Sequence, residues 1–190
     1  MTGRRAAFLD RDGTIIEDVD YIARPEQVVL RPDAAEGIAL LNSHDVAVVV
    51  ITNQSGIARG KFTVADYAAV HARMIALLDD HGARIDAVYY CPHHPDITGR
   101  CDCRKPGRQL FDQAIADLQL DAARSMFAGD RTRDVLPART FGGMAYLVNA
   151  PSTRPGEIEE SVAAGAIVVP SLLDAARVFL AVSAQKTATE

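Results

Sequence analysis

The chain has 190 residues, enough for one domain with a substantial core, and its 48% hydrophobic and 24% charged residues are an ordinary globular balance. A net charge of −5 argues against nucleic acid as the main partner, because phosphate-backbone binders present basic surfaces. No apolar run approaches the ~20 residues needed to cross a bilayer, and the stretch Ala6–Leu9 is too short for the core of a signal peptide. A cytoplasmic protein with no membrane partner is expected.

Short apolar runs predict strands at Ala6–Asp10, Val46–Ile51, Ala87–Tyr90, Met126–Ala128, Ala145–Val148 and Ile167–Val169. Several are unbroken Val, Ile, Leu or Phe, as suits strands buried on both faces. Helical spacing falls between them at 33–43, 64–81, 107–118, 132–141, 156–164 and 171–183, with Asp33, Thr63 and Ser171 as candidate starts. The β-α-β-α order predicts an α/β fold: a doubly wound, mostly parallel sheet with helices on both faces. A single domain over residues 1–183 is expected, and the polar tail 184–190 is expected to be flexible. Two segments lack periodicity: Glu17–Arg31 and Cys91–Pro106. Both leave strand ends, where open α/β sheets bind ligands.

Four segments carry chemistry. Phe8-Leu9-Asp10-Arg11-Asp12-Gly13-Thr14 ends a strand in two carboxylates. Thr52-Asn53-Gln54-Ser55-Gly56 offers a hydroxyl, an amide and backbone N–H groups to phosphate oxygens. Arg104-Lys105-Pro106 places two cations before a helix, and Gly129-Asp130-Arg131 ends a fourth strand in an acid, with Asp134 following. Each segment alone is an ordinary turn, cap or surface pair. Together they make a phosphoryl-transfer site: Asp10 as nucleophile, Asp12 as acid and then base, and Thr52 and Lys105 on the transferred group. Asp10 and Asp130, with the backbone carbonyl of Asp12, supply hard oxygens for Mg²⁺. The grouping requires the fourth strand to lie beside the first, opposite the second.

All three cysteines and two of the five histidines fall within Cys91-Pro92-His93-His94 and Cys101-Asp102-Cys103. Cys91, His93, Cys101 and Cys103 make a full tetrahedral set for structural Zn²⁺, with His94 as the alternative fourth ligand. A loop so poor in apolar residues needs metal in place of a core, and the ion would hold Arg104 and Lys105 over the site.

Asp10-Arg11-Asp12-Gly13-Thr14, Thr52-Asn53, Lys105 and Gly129-Asp130 with Asp134 resemble the four motifs of the haloacid dehalogenase superfamily of phosphatases. The longer strings Thr52–Gly60, Tyr90–Pro95 and Cys101–Pro106 resemble the D-glycero-D-manno-heptose 1,7-bisphosphate 7-phosphatase family, and histidinol-phosphate phosphatases share the pattern. The resemblance spans roughly residues 6–180. It implies a capless enzyme that removes the 7-phosphate of a heptose bisphosphate, with Asp10, Asp12 and Asp130 as Mg²⁺ ligands and Asp134 in support. It implies substrate contacts at Arg11, Asp18, Val19, Asp20, Tyr21, Asn53, Gln54, Ser55, Arg104 and Arg131, with Arg104 on a second phosphate. The expected partner is a small sugar phosphate, and the expected state a monomer. Histidinol phosphate is the alternative substrate; a DNA 3′-phosphatase, a non-catalytic aspartate phosphoacceptor and a zinc-binding module are the other readings.

Overall fold

The computed structural model describes residues 3–187. Six strands form one sheet: β1 (Ala6–Leu9), β2 (Ala47–Asn53), β3 (Ala87–Cys91), β4 (Met126–Gly129), β5 (Met144–Val148) and β6 (Ile167–Val169). Every neighbouring pair is parallel, in the order β3-β2-β1-β4-β5-β6. The sequence order therefore reverses between β1 and β4, which is where such sheets open a crevice at the strand ends.

The helices are α1 (Ala34–Ser43), α2 (Val64–Asp79), α3 (Pro95–Thr98), α4 (Gln109–Leu118), α5 (Thr132–Val135), α6 (Pro137–Phe141), α7 (Glu157–Ala163) and α8 (Leu172–Thr187). The two-residue period of the strands divides their side chains between two cores. Ala7, Leu9, Val48, Val50 and Ala128 pack with Ile38 and Leu41 of α1, Val70 and Met74 of α2, and Phe179 of α8. Phe8, Val49, Ile51 and Phe127 pack on the other face with Leu110, Phe111 and Ala114 of α4 and Val135 of α5. There Phe8 and Phe127 stack at 4.8 Å, and Phe111 meets each of them at 5.6 Å.

Strand ends match the sequence reading to within two residues, with β6 as expected, while short helix α3 falls in a segment expected to be irregular and several other helical details differ. The segment 132–141 is two short helices, because Pro137 has no N–H to carry one helix through. Asp33 makes no side-chain cap; its backbone sits in the left-handed region, at φ 61°. Helix α8 continues to Thr187, four residues beyond the expected end, and the rest of the expected tail, 188–190, lies outside the described residues. Thr63 does cap α2, in a reciprocal box with Asp66, and Ser171 Oγ accepts from Asp174 N at 3.1 Å ahead of α8. No described helix is long and apolar enough to cross a membrane.

Phe127 is wholly buried at the centre of the aromatic cluster. Phe127→Ala is expected to lower the unfolding free energy by about 3–5 kcal/mol in a urea titration; a loss near zero would contradict the packing described.

Candidate active site

Asp10 and Asp130 follow the last residues of β1 and β4. These strands are hydrogen-bonded neighbours, Leu9 opposite Ala128, and Asp10 N donates to Ala128 O at 2.9 Å. The two carboxylates therefore leave adjacent strand tips side by side. Asp134, from α5, joins them, and the carboxylate oxygens of the three lie within 4.8 Å of one another. Gly129 makes that approach possible, because a Cβ there would sit 2.3 Å from Asp134 Cβ. Gly13, at φ +83°, closes the other side; its Cβ would lie 2.6 Å from Asp130 Oδ2.

Lys105 reaches this group from the loop after β3. Its Nζ stands 2.8 Å from Asp10 Oδ1, 2.8 Å from Asp134 Oδ1 and 2.5 Å from the Ile51 carbonyl oxygen. Burial alone would lower the lysine pKa; Asp10 and Asp134 outweigh it and hold the pKa above its ordinary value. Asn53 fastens the lysine backbone to the end of β2, accepting from Lys105 N at 3.0 Å and donating to Lys105 O at 3.3 Å. Burial, then repulsion from Asp10 and Asp134, pushes Asp130 up to about 7. Ser152 Oγ donates to Asp130 Oδ2 at 2.7 Å, and Arg131 Nε lies 3.2 Å from the same oxygen. Three buried carboxylates, two of them on the Lys105 ammonium and the third beside Arg131, form an oxygen-rich, electron-rich donor set that fits a hard divalent cation.

The Asp12 carboxylate faces away from that group. It accepts from Arg11 Nη2 at 2.9 Å and from Gln54 Nε2 at 2.7 Å, and the same amide donates to Thr52 Oγ1 at 2.9 Å. The Asp12 side chain is therefore engaged by Arg11 and Gln54, while the group of carboxylates able to hold a metal ion consists of Asp10, Asp130 and Asp134. Above these residues opens a cavity of about 310 Å³. Its walls include Asp18, Asp20, Tyr21, Asn53, Gln54, Ser55, Arg104 and Arg131, all expected substrate contacts. Val19 is 49% exposed and outside those walls, while Lys105 and Asp134 lie beneath the floor. Arg11 borders the cavity, but its side chain is 1% exposed and turned inward.

The walls also hold His94, expected only as an alternative metal ligand, and residues the sequence reading did not single out: Arg59, Phe62, Arg133 and Arg154. Arg59 and Arg133 stand inside the recognised segments, so their charge and position were available signals. Arg154, in the loop after β5, belongs to no motif. Arg104 donates to the His93 carbonyl at 3.3 Å, and its pKa is lowered by burial and then by the Arg133 charge.

The four expected soft ligands converge. Cys103 Sγ lies 3.1 Å from Cys91 Sγ and 3.3 Å from Cys101 Sγ, and His93 Nδ1 lies 3.2 Å from Cys103 Sγ. A tetrahedron built on metal–sulfur bonds of ~2.3 Å has edges of roughly 3.7 Å, so the cluster has the dimensions such a site needs, slightly contracted. All three cysteines are free thiols, and the donor set fits a thiophilic ion. His94 is not a fourth ligand here; its Nε2 accepts from Arg59 Nη2 at 2.6 Å.

Residues 102–175 match the HAD-hydrolase-like family model. The chain is 40% identical over 145 residues to the D-glycero-β-D-manno-heptose-1,7-bisphosphate 7-phosphatase of Haemophilus ducreyi, covering 74% of this chain and 80% of that protein. It is 35% identical over 185 residues to the enzyme of the same name from Vibrio cholerae, covering 93% and 97%. Among solved structures, the D,D-heptose 1,7-bisphosphate phosphatase of B. bronchiseptica, complexed with magnesium and phosphate, superposes with a TM-score of 0.81 at 32% identity, covering 93% of this chain and 98% of that one.

Lys105→Met leaves the Asp10–Asp134 pair without its buried cation. In metal-free protein at neutral pH it is expected to cost about 3–5 kcal/mol of unfolding free energy by urea titration; an unchanged midpoint would show that the ammonium does not hold this cluster together.

Proposed function

The chain belongs to the heptose bisphosphate phosphatases of the HAD-like hydrolases, and on that premise we propose that it removes the 7-phosphate of D-glycero-D-manno-heptose 1,7-bisphosphate through an aspartyl phosphate on Asp10. The observation that carries the reading is the convergence of Asp10 and Asp130 at adjacent strand tips with the Lys105 ammonium on the Asp10 carboxylate.

In this mechanism an Asp10 oxygen bonds to phosphorus while the bond from phosphorus to the sugar oxygen breaks. Asp12 gives the departing oxygen its proton. It then takes a proton from the water that attacks the acyl phosphate, restoring Asp10 and releasing inorganic phosphate. Lys105 and Thr52 stabilise charge on the transferred oxygens. Mg²⁺, when held by Asp10, Asp130 and the Asp12 carbonyl, offsets the repulsion between carboxylate and phosphate dianion. The arginines around the cavity, Arg104 foremost, suit a substrate with a second anionic group. Histidinol phosphate lacks such a group, and the relatives from Haemophilus ducreyi and Vibrio cholerae carry the heptose name. A passive phosphoacceptor has no need of Asp12 or of this cationic rim.

Zn²⁺ on Cys91, His93, Cys101 and Cys103 has a structural role in this reading, since four protein donors leave no open position. Three free thiols suit a reducing compartment, which supports a cytoplasmic location.

With Mg²⁺ present, turnover of the heptose bisphosphate is expected to exceed that of histidinol phosphate by tenfold or more in kcat/KM; the reverse preference would overturn the substrate assignment. Removing zinc with a thiol-competing chelator, then restoring Mg²⁺, is expected to lower kcat by at least about tenfold and to lower the urea midpoint, by freeing the loop that carries Lys105. Full activity in metal-analysed, zinc-free protein would contradict the structural role.

A further inference from the structure

Arg11 stands between the two acids of the first motif, where a cation invites assignment to the substrate. The packing says otherwise. Its side chain is 1% exposed and is among the largest fully buried in the protein. Nε lies 3.2 and 3.1 Å from the two Asp12 carboxylate oxygens, and Nη2 lies 2.9 Å from Oδ1. The guanidinium carbon sits 5.1 Å over the ring of Tyr67, which is itself 5% exposed and 4.4 Å from the Tyr90 ring. We propose that Arg11 is a positioning residue that aims the Asp12 carboxylate at the leaving-group oxygen, and not a substrate contact.

Three observations support this. The main chain here is already fixed: Arg11 O accepts from Ile15 N at 2.9 Å and Ile16 N at 3.0 Å, and Gly13 N donates to Ile16 O at 2.8 Å. What is left free at Asp12 is its two side-chain torsions. The Arg11 fork, with Gln54 Nε2 at 2.7 Å, fixes both, because a planar bidentate donor sets direction as well as distance. Stability does not explain the pair. A buried ion pair is a weak stabiliser, and the Asp12 side chain, 23% exposed, has water available to it. Burying this cation also leaves Arg11 Nη1 without a partner, a cost that an apolar residue of the same volume would avoid. Catalytic groups need placement within a fraction of an ångström, and that need accounts for the arrangement.

The inference rests on Asp12 being the acid, so the test measures that first. kcat/KM is determined for an alkyl phosphate, whose leaving oxygen needs a proton, and for p-nitrophenyl phosphate, whose phenolate leaves without one. Asp12→Asn is expected to lose about 100-fold or more on the alkyl ester and far less on the aryl ester. Equal losses there would remove the acid role, and this inference with it. Arg11→Met is expected to reproduce the pattern, with about 30-fold loss on the alkyl ester and under threefold on the aryl ester, and Arg11→Lys to recover only part. Equal losses on both esters for Arg11→Met, or none, overturn the positioning role while leaving the Asp12 assignment intact. If Arg11→Met does not fold, Tyr67→Leu decides: it unseats the guanidinium and keeps its charge. A loss of threefold or more confined to the alkyl ester supports the proposal, and a uniform loss or none overturns it.

Discussion

The site depends on one buried ammonium. Lys105 Nζ sits within 2.8 Å of both Asp10 and Asp134, in a place where burial forbids leaving either charge alone. Three carboxylates drawn that close in a dry crevice repel one another, which is visible in the rise of Asp130 to about 7. The sheet creates the problem by setting β1 and β4 side by side, with the chain reversing its order between them. It also creates the opportunity, since the same convergence gathers the proposed nucleophile and oxygens able to hold a metal ion around one point. The lysine has to arrive from outside β1 and β4, across the end of β2, where its third contact is the Ile51 carbonyl.

That requirement explains the segment after β3. A loop rich in Cys, His, Pro and Asp cannot order itself by burying apolar surface, yet it must deliver Lys105 to a fixed position. The Cys91–His93–Cys101–Cys103 cluster gives it a centre. Two main-chain bonds, Gln54 N to Cys91 O at 2.7 Å and Ala58 N to Pro92 O at 3.3 Å, tie it to the loop after β2. The Arg59–His94 contact adds a side-chain link between the same two loops. The soft-ligand cluster, the cationic rim and the lysine are therefore one mechanical unit, and the protein arranges its phosphate site from a distance.

Much of this was legible in the sequence because strand, helix and turn signals agreed. Continuous Val and Ile runs marked strands buried on both faces, and acids at the ends of two of them marked the tips that meet. What was not legible depends on contacts that no spacing encodes. A lone arginine between two acids looks the same whether it faces substrate or core; only the Tyr67 ring and the fork onto Asp12 decide. Asp33 has the composition of a helix cap but a left-handed backbone. Ser152 and Arg154 reach the site from a loop after β5 that has no motif of its own. Val19 shares a segment with Asp18 and Tyr21 yet points to solvent, because consecutive residues of an irregular loop need not share a face.

The central claim is that Asp10 itself becomes phosphorylated. The most direct measurement is to mix p-nitrophenyl phosphate, whose leaving group needs no acid, and Mg²⁺ with Asp12→Asn protein, whose acyl phosphate should form and persist, quench in acid, reduce with borohydride and sequence the peptide spanning β1 by mass spectrometry. The account predicts that residue 10, and no other, is converted to homoserine in a substrate-dependent manner. Release of phosphate with no modification at residue 10, or modification at another carboxylate, would contradict it.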